Sequence, residues 1–402
     1  MATALLLSMS SFAQQALFDN VPVVSPELNT NHTVTFRLKA PNAQKVQITG
    51  DFLPTKQIDT PVGKYDAPGV ADLVKDDKGV WSFTSTNLSP ELYSYNLILD
   101  GVKIVDPGSV YITRDITSVT NIFILSDKKG DCGDLYTVNE VPHGNVQKVW
   151  YDSPTLKMQR RMTVYTPAGY DKGKDYPVLY LLHGAGGDED AWTTLGRASQ
   201  ILDNLIATGK AKPMVVVMTN GNPNCQAAPG EWSAGMYVPS FYGYQGAKAV
   251  ATMDESFPDV MNYVESHYKV GKDKAHRAIC GLSMGGGHSF DISRRFPNKF
   301  DYVGLFSAGL HVGKTGDFRT DFYKMLQEDE EAKQQLATLF KNKPKLYWIG
   351  MGKTDFLYKS TAGLRRYFDE KGYKYTYMET EGGHIWRNWR VYLTEFAQKI
   401  FK

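Results

Sequence analysis

The stretch "AICGLSMGGGHSF", residues 278–290, decides the fold of the larger part of this chain. Its first half is a continuous apolar run typical of a buried strand, and its second half begins a helical pattern. Between them "GLSMG", residues 281–285, fits the Gly-x-Ser-x-Gly pattern, in which a serine projects from a sharp strand-to-helix turn. The pattern predicts Ser283 as a nucleophile and the Met284 N–H as an oxyanion donor at the helix start. A purely structural turn is the alternative, so the surrounding sequence has to decide.

The same alternation of apolar runs and helical patterns extends through residues 146–402. Apolar runs such as "PVLYLLHG", "MVVVMTNG", "YVGLFSAG" and "KLYWIGMG" alternate with amphipathic stretches, and "DFYKMLQEDEEAKQQLATLFK", residues 321–341, is predicted as one helix. Continuously apolar strands that alternate with helices predict a mostly parallel sheet covered on both faces. Ligand sites in such sheets lie beyond the carboxyl ends of the strands, so one edge should carry the chemistry.

A second glycine-rich strand end supports the nucleophile interpretation. In "YLLHGAGGDEDAW", residues 180–192, a strand ends where an α/β-hydrolase supplies its second oxyanion N–H. We assign that donor to Ala185, with Gly186 as the neighbouring alternative, and we expect His183 to order the loop. A plain glycine turn is the alternative, but the two motifs together are more specific than either motif alone.

A serine nucleophile needs a base, and His384 fits that role best. It follows the last strand-like run, in "YMETEGGHIWRNW", and the Ser, acid, His chain order of α/β-hydrolases places the base last. His311 is the best rival. His288 falls within the helix after Ser283, where a packing role is expected.

The acid should lie between the nucleophile and the base. Asp355, in "LYWIGMGKTDFLY", ends an apolar strand in a glycine-containing loop, from which it can hold the imidazole tautomer. The carboxylates that fit less well are Asp317, Asp321, Glu379 and Glu381.

A long insertion, residues 220–246, leaves one strand end on the cleft side and is rich in glycine and aromatic residues. Loops of this length in compact domains are usually functional. Trp232 and Tyr237, together with Trp386, are candidates for an aromatic wall that stacks on a ring or a sugar. Simple loop packing is an equal alternative for each of them.

The N-terminal quarter has a different pattern. Short alternating runs between turn residues over 21–126 predict an all-β, immunoglobulin-like sandwich, and residues 127–145 form a linker. Residues 1–20 begin with an apolar run and a small-x-small site before Gln14, which predicts a signal peptide and an exported, periplasmic or extracellular protein.

The composition and charge of the chain limit which classes of partner are expected. The 402 residues carry a net charge of +2 with acids and bases nearly balanced, which gives no case for nucleic-acid binding. No stretch has the ~20 apolar residues of a membrane span. Cys132, Cys225 and Cys280 have no metal-ligand spacing, and a Cys132 to Cys225 disulfide is only a possibility. We expect no metal and no cofactor.

In combination, "RRMTVYTPAGY", "YPVLYLLHGAGG", "GLSMGGGHS", "GKTDFLY" and "GGHIWRNW" make residues from about 140 to 402 resemble the family 1 carbohydrate esterases, the feruloyl and acetylxylan esterase group of the esterase D-like α/β-hydrolases. Residues 21–126, with "VTFRLKAPNAQKVQITGDF", are similar to the family 48 carbohydrate-binding or early-set module. Trp81 lies in a strand pattern and is expected in the core, so glycan binding by this module and a role in shaping the cleft are both open.

The resemblance implies hydrolysis of feruloylated or acetylated xylan and xylo-oligosaccharides through an acyl-enzyme, without a cofactor. It assigns the nucleophile, acid and base to Ser283, Asp355 and His384, in agreement with the residue patterns. Ferulate from arabinoxylan is the first expected product and acetate the second. Three competing functions stay open: a siderophore esterase similar to enterochelin hydrolases, an acyltransferase and a non-catalytic glycan-binding relative.

Overall fold

The computed structural model describes residues 23–60, 63–238, 249–313 and 321–402 of the chain. The predicted signal peptide therefore lies outside the described residues. The described chain begins with an all-β region, whose strands are β1 Glu27–Leu28, β2 Val34–Lys39, β3 Val46–Gly50, β4 Lys56–Thr60, β5 Gly63–Ala67, β6 Gly69–Asp72, β7 Val74–Lys75, β8 Val80–Thr84, β9 Glu91–Leu99, β10 Val102–Ile104, β11 Ile112–Asp115 and β12 Ser118–Leu125.

These strands form the predicted sandwich, with antiparallel pairing throughout. One sheet has the order β1-β2-β8-β7, the other has the order β11-β12-β9-β3-β6 with β10 beside β9, and β4 and β5 form a separate hairpin. The alternating inward residues of both sheets bury an aromatic cluster of Phe36, Phe52, Tyr93, Tyr95 and Phe123. Trp81 is a core residue, as predicted: it is 8% exposed, and its indole N–H donates to the Ala40 carbonyl at 2.9 Å.

The remainder is an α/β region. Its elements are α1 Cys132–Tyr136, β13 Asn145–Ser153, β14 Met158–Thr166, β15 Val178–Leu182, α2 Ala191–Thr194, α3 Ala198–Ala207, β16 Val215–Thr219, α4 Met253–His267, β17 Arg277–Leu282, α5 Met284–Arg295, β18 Tyr302–Phe306, α6 Phe322–Glu328, α7 Glu330–Lys341, β19 Leu346–Gly352, α8 Tyr358–Lys371, β20 Thr376–Thr380 and α9 Trp386–Ala397.

One eight-stranded sheet organises this region, in the order β13-β14-β16-β15-β17-β18-β19-β20. The six strands from β16 to β20 along this order are mutually parallel, and β13 and β14 are antiparallel. All six parallel strands therefore end at the same edge. This is the predicted α/β-hydrolase architecture preceded by a β-sandwich.

Both faces of the sheet are covered, which explains the continuously apolar strands. Along β15, Tyr180 and Leu182 face one buried cluster, while Leu179 and Leu181 face a second cluster on the opposite side. The first cluster includes residues of α4, α5 and α7, and the second includes residues of α3 and α9.

One local prediction, that of a single helix over 321–341, needs correction. The single helix predicted over 321–341 is divided, because Asp329 leaves helical geometry at φ −102° and ψ 95° and its carboxylate accepts from the Ala332 N–H at 2.8 Å. This N-cap starts a new helix although the apolar period continues. The predicted linker, 127–145, contains α1, and the possible disulfide is absent because all three cysteines are free thiols.

Within the described ranges, no helix is both long and apolar enough to cross a membrane.

Candidate active site

Ser283 occupies the turn between β17 and α5 in a backbone conformation that residues other than glycine rarely adopt. Its backbone has φ 52° and ψ −114°, a strained region that persists only where the surroundings enforce it. The Ser283 N–H donates to the Phe306 carbonyl at 2.9 Å, and its carbonyl accepts from the N–H groups of Gly287 at 3.0 Å and Gly309 at 2.8 Å. Backbone hydrogen bonds to a neighbouring strand and loop thus hold the turn.

The glycines around Ser283 allow the helix to approach the sheet. A Cβ on Gly285 would lie 2.5 Å from the His183 carbonyl oxygen, and one on Gly281 would lie 2.6 Å from the Gly285 carbonyl carbon. Real Cβ atoms do not come so close to backbone atoms, so any larger residue would push α5 away from β15. The Gly-x-Ser-x-Gly pattern is a packing requirement here, and it leaves the Ser283 side chain at the carboxyl edge of the sheet.

His384 and Asp355 form a direct pair at the same edge. The Nδ1 atom of His384 lies 2.9 Å from Oδ2 and 3.1 Å from Oδ1 of Asp355. The Asp355 side chain is fully buried, and Oδ1 also accepts from the Leu357 N–H at 2.9 Å. Because Nδ1 must carry the hydrogen that faces the carboxylate, the free lone pair of the neutral ring lies on Nε2.

Two aromatic rings hold the imidazole from its sides. The centroid of Phe356 lies 4.5 Å from that of His384, and Trp389 meets it edge-on at 4.9 Å. The loops that carry the pair are also joined by their backbones, since the Thr354 N–H donates to the Gly382 carbonyl at 3.0 Å. The His384 side chain remains 17% exposed, so the ring can reach solvent or a substrate.

The loop after β15 runs against the nucleophile. A Cβ on Gly184 would lie 3.2 Å from the Cβ of Ser283, so the loop backbone passes beside the serine side chain. Gly186 adopts φ 82°, which favours glycine. Ala185 is solvent-exposed, and Met284 occupies the first turn of α5.

His183 orders this loop through hydrogen bonds of both ring nitrogens. It is buried, its Nδ1 lies 2.7 Å from the Gly184 carbonyl, and its Nε2 accepts from the Gly221 N–H at 2.7 Å. Only a neutral ring protonated on Nδ1 can satisfy both partners. Burial lowers the pKa of His183 below its ordinary value, which keeps the ring in this form.

A buried charge network, which sequence reasoning missed, supports the loop. Glu189 is fully buried and accepts from Arg161 Nε at 2.7 Å, from the Asn220 side chain at 3.0 Å and from the Ala228 N–H at 2.8 Å. Arg161 continues to Glu231 at 2.7 Å. The sequence signal that could have revealed it is the pair of adjacent arginines within a strand-like run, "RRMTVYT", because buried arginines require partners.

The neighbouring Arg160 fixes the start of the insertion. Its guanidinium donates to the carbonyls of Asn220 and Asn222, each at 2.7 Å, and to that of Cys225 at 3.1 Å. The Asn222 side chain then donates to the Gly187 carbonyl at 3.1 Å. The insertion and the loop after β15 therefore form one hydrogen-bonded unit.

The three predicted ring-stacking residues lie in different surroundings. Trp386 packs edge-on against Trp192 and Trp389, at centroid distances of 5.3 and 5.2 Å. Trp232 is half-buried beside Gly235, where a Cβ would lie 2.0 Å from the indole nitrogen. Tyr237 is 93% exposed. Residues 239–248, which include the end of the predicted insertion, lie outside the described ranges.

The rival histidines lie beside a cavity. Its volume is about 710 Å³, and His288 and His311 both line it. Burial, followed by the neighbouring His183, lowers the pKa of His288 to about 4. The Asp355 carboxylate that pairs with His384 is the partner that a general base requires. Among the residues of the described ranges, no group of three or more His, Cys, Asp or Glu side chains is arranged to hold a metal ion.

Comparison with known proteins agrees with this fold. The model of the family described as "Putative esterase" matches residues 153–400. The chain is 30% identical over 388 residues to an endo-1,4-beta-xylanase/feruloyl esterase of Xylanibacter ruminicola, an alignment that covers 94% of this chain and 46% of that protein. The chain thus spans less than half the length of this relative.

Solved structures of esterases share the fold of this chain. A ferulic acid esterase superposes with a TM-score of 0.51 at 25% identity, covering 65% of this chain and 98% of that one. The enterobactin esterase of Shigella flexneri superposes with a TM-score of 0.60 at 13% identity, covering 96% of this chain and 97% of that one, which shows a shared fold over both regions. The chain belongs to this esterase family of α/β-hydrolases.

Proposed function

We propose that this protein is a serine esterase that releases ferulate from feruloylated arabinoxylan. The pairing of His384 Nδ1 with the buried Asp355 carboxylate, 2.9 Å apart at the edge that carries the strained Ser283, is the observation that supports it most. This arrangement leaves Nε2 as the base for a serine hydroxyl. The names of two of the similar proteins, the xylanase/feruloyl esterase and the ferulic acid esterase, support feruloyl esters as the substrate class.

The proposed reaction has two halves. In the first, Ser283 Oγ attacks the ester carbonyl while His384 Nε2 takes the hydroxyl proton, and the N–H groups of Met284 and Ala185 stabilise the oxyanion. The tetrahedral intermediate breaks its bond to the sugar oxygen, which leaves as an alcohol with the proton from His384. In the second half, water gives a proton to His384 and adds to the acyl-enzyme, ferulate leaves, and Ser283 regains its proton.

Asp355 orients the His384 ring and compensates the positive charge that the ring gains during the reaction. Because its side chain is fully buried and also bonded to the Leu357 N–H, it can stabilise the imidazolium without moving. The proposed substrate is a polymer found outside cells, in agreement with the export signal predicted over residues 1–20.

The test is ferulate release from methyl ferulate and from arabinoxylan by wild type and by Ser283→Ala. Ser266→Ala, at an exposed position of α4, is the matched control. We expect wild type and the control to release ferulate, and Ser283→Ala to lose at least ~1,000-fold in kcat.

Further outcomes distinguish the competing functions. Acetate release from acetylated xylan without ferulate release would make the protein an acetylxylan esterase with the same site. Cleavage of a catecholate trilactone alone would make it a siderophore esterase. Transfer of the acyl group to an added alcohol in place of water would identify an acyltransferase, and no reaction at all would favour a glycan-binding relative.

A further inference from the structure

The hairpin turn between β11 and β12 of the N-terminal sandwich reaches the catalytic region. Asp115 pairs with Ser118 across this turn, and Ile116 adopts φ 55°. The Arg114 side chain points outward, with Nη2 at 2.5 Å from Oδ2 of Asp188 and Nη1 at 3.3 Å from the Ile116 carbonyl. The guanidinium therefore joins the sandwich to the segment that follows the loop after β15.

Asp188 carries a buried carboxylate that needs charged or hydrogen-bonding partners. It directly follows Gly187, is 2% exposed, and also accepts from the Asp190 N–H at 3.0 Å through Oδ1. Its backbone carbonyl accepts from the Ala191 N–H at 3.1 Å, at the start of α2. A carboxylate buried to this degree requires a compensating charge, and Arg114 supplies one from the other domain.

The next residue of the turn contacts the other loop of the site. Burial raises the pKa of Asp115, and the Trp386 indole, which faces the carboxylate, opposes that rise. Trp386 packs on Trp389, whose ring in turn packs on the His384 imidazole. Two consecutive residues of one turn thus contact the loop beside Ser283 and the loop that carries the proposed base.

More of the sandwich contributes to the same junction. Arg390 of α9 donates to the Glu91 carboxylate and to the Leu92 carbonyl, each at 3.2 Å. Arg197, before α3, hydrogen-bonds to the Tyr111 hydroxyl. Charged groups that are mostly buried at a junction fix the relative position of the two partners, since each lost pair leaves a charge without compensation.

We propose that Arg114 is a positioning residue for the oxyanion loop, the loop after β15 that comprises residues 183–187, and that it acts through Asp188. The inference rests on the proposed function, because it concerns how accurately the Ala185 N–H points at the oxyanion. Losing a whole oxyanion donor costs ~100-fold or more in kcat. Loosening the loop that carries one should cost less, about 10-fold, because the donor remains and only its alignment suffers.

The test compares Arg114→Met with Arg37→Met. The Arg37 side chain, 30% exposed, pairs at 2.6 Å within the sandwich with Glu27, whose side chain is 46% exposed, whereas Arg114, 35% exposed, pairs with Asp188 at 2%. The control therefore removes an arginine of similar exposure without leaving a buried carboxylate unpaired. We expect Arg114→Met to lower kcat about 10-fold on methyl ferulate with KM nearly unchanged. Inhibition by phenylboronic acid, which adds to the serine as a tetrahedral transition-state mimic, should weaken by a similar factor. Arg37→Met should change neither.

Further variants separate positioning from a general loss of structure. Arg114→Lys keeps the positive charge and should recover most of the kcat, and Asp188→Asn should reproduce Arg114→Met without adding to it in the double variant. Equal kcat and equal boronate affinity in wild type and Arg114→Met would overturn the proposal. So would a loss that is matched by Arg37→Met or by the fall in Tm. Inactivity of the wild type on every ester would instead refute the proposed function.

Discussion

The nucleophile elbow and the oxyanion loop lie against each other at one edge of the sheet, but different forces hold them. The elbow at Ser283 is fixed by backbone hydrogen bonds and glycine contacts within its own sheet. The oxyanion loop is followed by two buried carboxylates, Asp188 and Glu189, whose partners come from the sandwich (Arg114), from β14 (Arg161) and from the insertion (the Asn220 amide). This difference indicates that the position of the nucleophile is a property of the sheet itself, whereas the position of the oxyanion donor depends on side chains from several distant parts of the chain.

The largest effect is expected for Asp355, the proposed acid that serves the nucleophile at the elbow through His384. Asp355→Asn keeps the shape of the side chain but removes the charge that orients the His384 ring and stabilises the imidazolium. A serine protease loses ~10⁴-fold in kcat on the same change, and we expect a loss of that order here, measured as steady-state hydrolysis of methyl ferulate. Asp77→Asn, at an exposed position of the sandwich, is the control, and a loss below about 10-fold in Asp355→Asn would remove the acid from the proposed triad.

Gly285→Ala tests whether glycine contacts fix the elbow. The new Cβ would lie 2.5 Å from the His183 carbonyl oxygen, so α5 or the oxyanion loop has to move. A displacement of about 1 Å can cost ~100-fold in rate, and overpacking costs about 1–3 kcal/mol in the free energy of unfolding. Activity assays and urea unfolding measure the two effects, and a variant with wild-type values of both would show that the contact is dispensable.

Glu189→Gln tests the charges on the oxyanion side. Breaking a buried pair by removing one partner costs about 3–5 kcal/mol, so the free energy of unfolding should fall by several kcal/mol and kcat by about 10-fold. Glu231→Gln removes another partner of Arg161. Because the Glu231 side chain is 53% exposed, this change should cost no more than about 1 kcal/mol. Equal costs for the two variants would contradict a special role for the buried carboxylate.

The smallest effect concerns pH. The pKa of His288 is about 4 in the folded chain and 6.5 when unperturbed, so between these values the unfolded state binds more protons. The stability contributed by neutral His288 is present above pH ~6.5 and is lost as pH falls towards ~4. His288→Gln should therefore lose less stability than wild type between pH ~7 and ~4.5 in urea unfolding, and an identical loss in both would contradict the lowered pKa.

The fold was largely accessible from the sequence, because its signals are local. Apolar runs record burial on both faces of a sheet, and the "GLSMG" pattern records a helix that approaches a strand too closely for larger residues. The same reasoning predicted Asp355 and His384 from chain order and strand ends. The structure places their side chains in contact, and their catalytic roles remain predictions.

The supporting network was not accessible, because its partners are far apart in the sequence. Arg161 and Glu189 are 28 residues apart, Glu189 and Asn220 are 31 apart, and Arg114 and Asp188 are 74 apart. Hydrophobic periodicity reports which side chains are buried but not which charges meet. The split at Asp329 was missed for a related reason, since an N-cap can interrupt a helix without changing its apolar period.

Covalent labelling tests the central claim, that Ser283 is the nucleophile, most directly. The protein is treated with a fluorophosphonate, which phosphorylates activated serine hydroxyls, and the modified peptide is identified by mass spectrometry. We predict one adduct, on Ser283, with labelling strongly reduced in His384→Gln and absent in Ser283→Ala, in parallel with esterase activity. An adduct on another residue, or full ester hydrolysis by Ser283→Ala, would contradict the account.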